Sequence, residues 1–84
     1  MVELIKKIIQ QGLPDAKVKV LDPYNDGQHF EAIVASDTFK NISLIKQHQK
    51  VMNLLKNDFD SATIHALKLK TLTVEEYEET SNSE

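Results

Sequence analysis

Residues 44–59 read LIKQHQKVMNLLKNDF. At 100° per residue, Leu44, Ile45, His48, Val51, Met52, Leu55 and Phe59 fall within about 120° of arc, while Lys46, Gln49, Lys50, Asn53, Lys56 and Asn57 lie opposite. An apolar stripe backed by a lysine-rich face predicts the longest helix of the chain, over 43–58, laid on an apolar surface. The flanking sequence supplies that surface as strands. Upstream, residues 16–21 alternate lysine with Val18 and Val20, the period of a half-buried strand, and residues 29–35 place Phe30, Ala32 and Val34 on one side of a second. Downstream, residues 63–71 alternate His65, Leu67 and Leu69 against Ile64, Ala66, Lys68 and Lys70, a third strand with its lysines outward. Leu44, Val51 and Leu55 are thus expected to pack on a three-stranded sheet.

The outer segments follow from local chemistry. Leu4, Ile5, Ile8 and Ile9 recur at helical spacing between Val2 and Gln11, and Gly12, Leu13 and Pro14 end that helix. Asp22-Pro23-Tyr24-Asn25-Asp26-Gly27-Gln28 is dense in turn formers and joins the first two strands as a hairpin. Thr73 followed by Glu76 is a capping-box pattern, predicting a short helix from Val74 to about Glu79. Residues 1–79 read as one domain and residues 80–84 as a flexible acidic tail.

Composition narrows the function. The 84 residues are 40% hydrophobic and 27% charged, enough apolar content for one folded domain. No apolar run approaches the roughly 20 residues a membrane helix needs, and the start has no signal-peptide pattern, so the expected compartment is the cytoplasm. Without cysteine, any metal must be held by histidine, carboxylates or a partner's groups. The net charge is −3; residues 1–70 carry ten lysines against eight acidic residues, a net of +2, and no arginine. That body lacks the planar fork suited to phosphate and guanine. Catalysis has no support: Ser36-Asp37 has no histidine at motif spacing, and two glycines make no phosphate loop. The acid pairs Glu75-Glu76 and Glu78-Glu79 read as a solvated helix face.

The three histidines are the neutral ligands available. His48 lies within the helical stripe and reads as a packed histidine. By position alone His65 reads as a core-edge histidine, and His29, at the end of the hairpin loop, reads equally as packing or as a ligand.

Three pieces of the chain, in order, carry a resemblance: Gly27-Gln28-His29-Phe30 leading into Ala35-Ser36-Asp37-Thr38-Phe39; Gln47-His48-Gln49; and His65-Ala66-Leu67 followed by Thr71-Leu72-Thr73. They resemble the HF…VSxxF, RHR and HAL…TxT segments of the BolA family, over about residues 2–79. The resemblance implies an α+β fold similar to a class II KH domain, αββαβ(α), with a three-stranded mixed sheet covered by helices. It also implies association with monothiol glutaredoxins of the CGFS type, sharing a two-iron, two-sulfur cluster with the glutaredoxin and glutathione in iron homeostasis or cluster trafficking. Alone, the protein would be a monomer without cofactor; with the glutaredoxin, a heterodimer.

His65 matches the family's HAL histidine, which implies a metal-ligand role. His29 is similar to the histidine of a subgroup that lacks the loop cysteine, and residues 22–28 hold neither Cys nor His. Gln47 and Gln49 replace the two arginines of RHR, and Asn41 stands where members often have glycine, a position Asn tolerates at φ > 0. The alternative is a nucleic-acid-binding transcriptional regulator on the KH-like fold, contacting phosphates through Lys46, Lys50 and Lys56. The clamping GxxG loop of KH modules does not occur here, so binding should be weak.

Overall fold

The computed structural model describes residues 1–60 and 66–82. In chain order they form α1 (Val2–Gly12), β1 (Lys17–Leu21), β2 (Phe30–Ala35), a 3-10 turn at Asp37–Phe39, α2 (Leu44–Leu55), β3 (Leu67–Leu72) and α3 (Val74–Asn82). β2 is the central strand. β1 runs antiparallel to it, from Lys17 opposite Ala35 to Leu21 opposite Glu31. β3 runs parallel to it, from Phe30 opposite Leu67 to Ala35 opposite Leu72. The sheet is therefore mixed, and α2 sits in the crossover that a parallel connection requires.

One sheet face carries Val20, Ala32, Val34 and Leu67, and these join Ile5 and Ile9 of α1 with Val51 and Leu55 of α2 in a single core. α1 and α2 cross closely at Gly12, where a Cβ would run into the Leu54 side chain. The opposite face bears Lys17, Lys19, Glu31, Ile33, Lys68 and Lys70. α3 reaches β2 and β3 at one end of it, where Lys17 Nζ lies 3.2 Å from Glu78 Oε1 and 5.9 Å from the centre of the Tyr77 ring. The capping box that starts α3 is complete: the Thr73 N–H donates to Glu76 Oε1 at 2.9 Å and the Glu76 N–H to Thr73 Oγ1 at 3.2 Å. The Thr73 main chain first, and its side chain second, bond to the Glu76 carboxyl and hold it below its ordinary pKa. The helix runs on to Asn82, past the expected end at Glu79.

Three apolar residues do not take their expected places. Leu44 and Ile45, expected in the core stripe of α2, are 60% and 71% exposed, and Leu4 of α1 is 47% exposed. Leu44 and Ile45 occupy the first turn of α2, beyond the part that meets the sheet. Packing begins one turn later, at half-buried Gln47 and His48 and buried Val51. Ile45 also lies about 120° around the axis from Val51. Leu4 shares its helix with Ile5 and Ile9, and it is these that turn inward.

α2 is the longest helix among the described residues, at 12 residues, and Ser43 caps it by accepting the Lys46 N–H at 3.3 Å. Asn41 has φ 63°, as expected for a residue standing where glycine is frequent. The third strand appears as Leu67–Leu72; its expected residues 63–65, His65 among them, lie outside the described residues. None of the helices among the described residues is long and apolar enough to cross a membrane.

Candidate functional site

Residues 22–29 connect β1 to β2, and two aspartates organise them. The Asp22 carboxylate accepts the Asp26 N–H at 3.3 Å and the Gly27 N–H at 3.1 Å, closing the chain around Asn25 and Gly27, which take φ 52° and 67°. The Asp26 carboxylate then accepts the Gln28 N–H at 2.9 Å and the His29 N–H at 3.1 Å. Its second oxygen lies 2.8 Å from His29 Nδ1. The bond from the His29 ring, followed by those from the Gln28 and His29 main chain, lowers the Asp26 pKa from 3.8 to about 2. Such side-chain to main-chain bonds are what Asp contributes to turns. The edge of one ring meets the face of the other at Tyr24 and His29, 5.8 Å apart and perpendicular.

The result is an ordered imidazole in a loop that remains open to solvent, its side chain 56% exposed. It lines a shallow cavity of about 190 Å³ with Pro23, Tyr24, Phe30, Ala66 and Lys68. The Phe30 N–H donates to Ala66 O at 3.3 Å, so the start of β2 is bonded to the residue that follows His65 in the sequence. Glu31 and Lys68 also border an adjoining cavity of about 180 Å³ beneath Ile33 and Lys70. Among the described residues no three His, Asp or Glu side chains gather as a metal-binding group. Chemically the site offers one accessible imidazole, a good donor for iron, with room beside it for ligands from another molecule.

The other expected residues fall elsewhere. His48 is half-buried on α2, within the stripe as predicted. Lys46, Lys50 and Lys56 are exposed on the outer side of α2. Ser36 is 0% exposed and fully engaged. Its hydroxyl donates to the Asp15 carboxylate at 2.9 Å and accepts the Thr38 N–H at 3.1 Å. Asp15 also takes the Asp37 N–H at 2.9 Å. This serine is a cap for the 3-10 turn, with no histidine near it in these bonds.

Gln47 was not singled out by hydrophobic periodicity, yet it ties three elements together. Its Nε2 donates to Phe39 O at 3.1 Å and Ile42 O at 2.8 Å, and its Oε1 accepts from Thr71 Oγ1 at 2.7 Å. A position where arginine would be read as a nucleic-acid contact thus serves internal bonding here. Asp22 and Asp26 read in the sequence as turn formers, which they are, but the bond of Asp26 to the His29 ring carries no sequence signal.

Known proteins agree with this architecture. The family described as BolA-like protein matches residues 7–76. An uncharacterised protein of Haemophilus influenzae is 38% identical over 71 residues, covering 82% of each chain. The protein named DNA-binding transcriptional regulator BolA in Escherichia coli is 32% identical over 56 residues, 67% of this chain and 52% of that one. The solved structure of a bolA protein homologue from Coxiella burnetii superposes with a TM-score of 0.76 at 39% identity, covering 93% of this chain and 96% of its own. With its mixed sheet, its α2 crossover and its hairpin histidine all in the matched segment, this chain belongs to the BolA-like family.

Proposed function

We propose that this protein is a binding partner of monothiol CGFS glutaredoxins and that His29 and His65 contribute ligands to a two-iron, two-sulfur cluster bridging the two proteins. The observation that carries the reading is the accessible His29 imidazole, held by a bonded loop beside Ala66, the sequence neighbour of His65. Two imidazoles and no thiolate make a poor iron–sulfur site alone, since such clusters are held largely by cysteine sulfur. The glutaredoxin cysteine and glutathione thiolate would supply the remainder. Neutral imidazole in place of thiolate removes negative charge around iron and raises its reduction potential. Binding, with no catalysis, also suits the engagement of Ser36 with Asp15.

Mixing the protein with a CGFS glutaredoxin, glutathione, iron and sulfide tests this. The visible and circular-dichroism spectra should depart from those of the glutaredoxin alone. His65→Ala should abolish the departure and His29→Ala should reduce it, with far-ultraviolet dichroism unchanged in both. Parent-like spectra from both variants would overturn the reading.

A second reading, nucleic-acid binding, is favoured by one observation, the similarity to a protein named as a DNA-binding regulator. The exposed lysines of α2 would serve it.

A further inference from the structure

We propose that Asp26 is a positioning residue for His29: its carboxylate holds the ring as the Nδ1–H tautomer, leaving Nε2 as the atom presented to a metal. This deepens the functional reading above and rests on it for the ligand role, while the tautomer itself belongs to the isolated protein. The geometry is specific. Asp26 Oδ2 stands 2.8 Å from Nδ1, and a carboxylate ionised at neutral pH only accepts, so the ring nitrogen must carry the hydrogen. The same carboxylate is itself held through Oδ1 by the Gln28 and His29 N–H groups. The Tyr24 ring stands perpendicular to the imidazole at 5.8 Å.

A neutral imidazole in water prefers the hydrogen on Nε2, the arrangement that would block this nitrogen as a ligand. Asp26 reverses the preference before any metal arrives. Metal-ligating histidines commonly donate their other ring N–H to a carboxylate, which fixes the ring and strengthens it as a donor. The loop thus carries the outer partner of a metal site already bonded to the inner one, on a residue three positions away. Asp22 provides an internal control. It closes the same loop through the Asp26 and Gly27 N–H groups but has no bond to the ring among those described.

The experiment reads the tautomer in the apo protein by two-bond proton–nitrogen correlation of ¹⁵N-histidine-labelled chain, at a pH where His29 is neutral. His29 should appear predominantly as Nδ1–H in the parent and in Asp22→Asn. Asp26→Ala should return it to the ordinary Nε2–H majority, and so should Asp26→Asn, whose one carbonyl oxygen is taken by the Gln28 and His29 N–H groups, leaving the NH2 group as a donor toward Nδ1. In the glutaredoxin mixture, Asp26→Ala should then raise the concentration needed for half-maximal spectral change by about 10-fold or more, the usual effect of losing such an outer partner. Asp26→Asn should shift it in the same direction.

An Nε2–H majority in the parent overturns the proposal, as does an Nδ1–H majority that survives Asp26→Ala. Equal loss of the tautomer in Asp22→Asn overturns it too, assigning the effect to loop closure in general. If the parent shows the Nδ1–H tautomer but no new spectrum with the glutaredoxin, the partner reading has failed while the tautomer assignment stands.

Discussion

Gln47→Ala should be among the most damaging polar substitutions in this domain. It deletes the donations to Phe39 O and Ile42 O and the acceptance from Thr71 Oγ1. A typical intramolecular hydrogen bond contributes about 0.5–1.5 kcal/mol net, and a buried hydroxyl left unpaired costs about 1–3 kcal/mol. Thr71 is 6% exposed, so water reaches its hydroxyl poorly after the change. The Phe39 carbonyl keeps the Ile42 N–H at 3.2 Å and Ile42 is only half-buried, which puts the total at roughly 2–4 kcal/mol. At about 0.05–0.15 kcal/mol per residue the whole domain holds roughly 4–13 kcal/mol, so this is a large share.

Urea unfolding followed by far-ultraviolet dichroism measures the loss as a lower midpoint at unchanged slope. The melting temperature should fall by roughly 10–30 °C. A double-mutant cycle with Thr71→Val isolates the link between α2 and β3, with an expected coupling of about 1 kcal/mol. A loss below about 0.5 kcal/mol, or additivity within about 0.3 kcal/mol, would refute the view that this amide fastens the helix to the strand.

Leu55→Ala should cost about 2–5 kcal/mol because Leu55 is 1% exposed, whereas Leu44→Ala should change stability by less than about 0.5 kcal/mol; equal midpoints in urea would show the helix face to be misassigned. The Asp26 pKa is lowered to about 2, so its contribution to loop order is fully present above the ordinary value near 3.8 and fades as pH falls toward 2. Carboxyl ¹³C shifts and Gln28 amide protection should titrate together in that window, and a midpoint near 4 would contradict it. Nucleic-acid binding should be weak, indifferent to sequence and lost near 0.15 M salt, as a few lysine–phosphate contacts dictate; sub-micromolar, sequence-specific binding at that ionic strength would overturn this.

Much of the fold is legible because most elements have one wet side. The alternation of lysine and valine gives β1, and Thr73 with Glu76 gives the start of α3, since both are local devices. The α2 stripe predicts Val51 and Leu55 correctly but extends too far toward the helix start. Periodicity states which way a side chain points, and only the position of the sheet states whether anything stands there. Gln47 escapes for the converse reason: it points inward with a polar group, and its partners at Phe39, Ile42 and Thr71 are brought together only by the crossover. At the site, His29 is legible as the end of a turn. Its bond to Asp26 is a matter of loop conformation, set by two residues at positive φ. The role assigned to His65 rests on family resemblance, because that residue lies outside the described part of the structure.

Among the described residues, both outer strands of the sheet use only one of their two sides, β1 and β3 each being bonded to β2 alone. Their outer margins therefore present unpaired main-chain groups, a standing invitation to strand-by-strand association between molecules. Lys17 and Lys19 on one margin and Lys68 and Lys70 on the other place like charges along both. Two copies brought together along the β3 margin would crowd the ammonium groups of Lys68 and Lys70, while on the β1 margin Lys17 is paired with Glu78 and Lys19 carries the repulsion. Charge along the margins thus guards a small open sheet against edge pairing where no further strand of the described residues covers it.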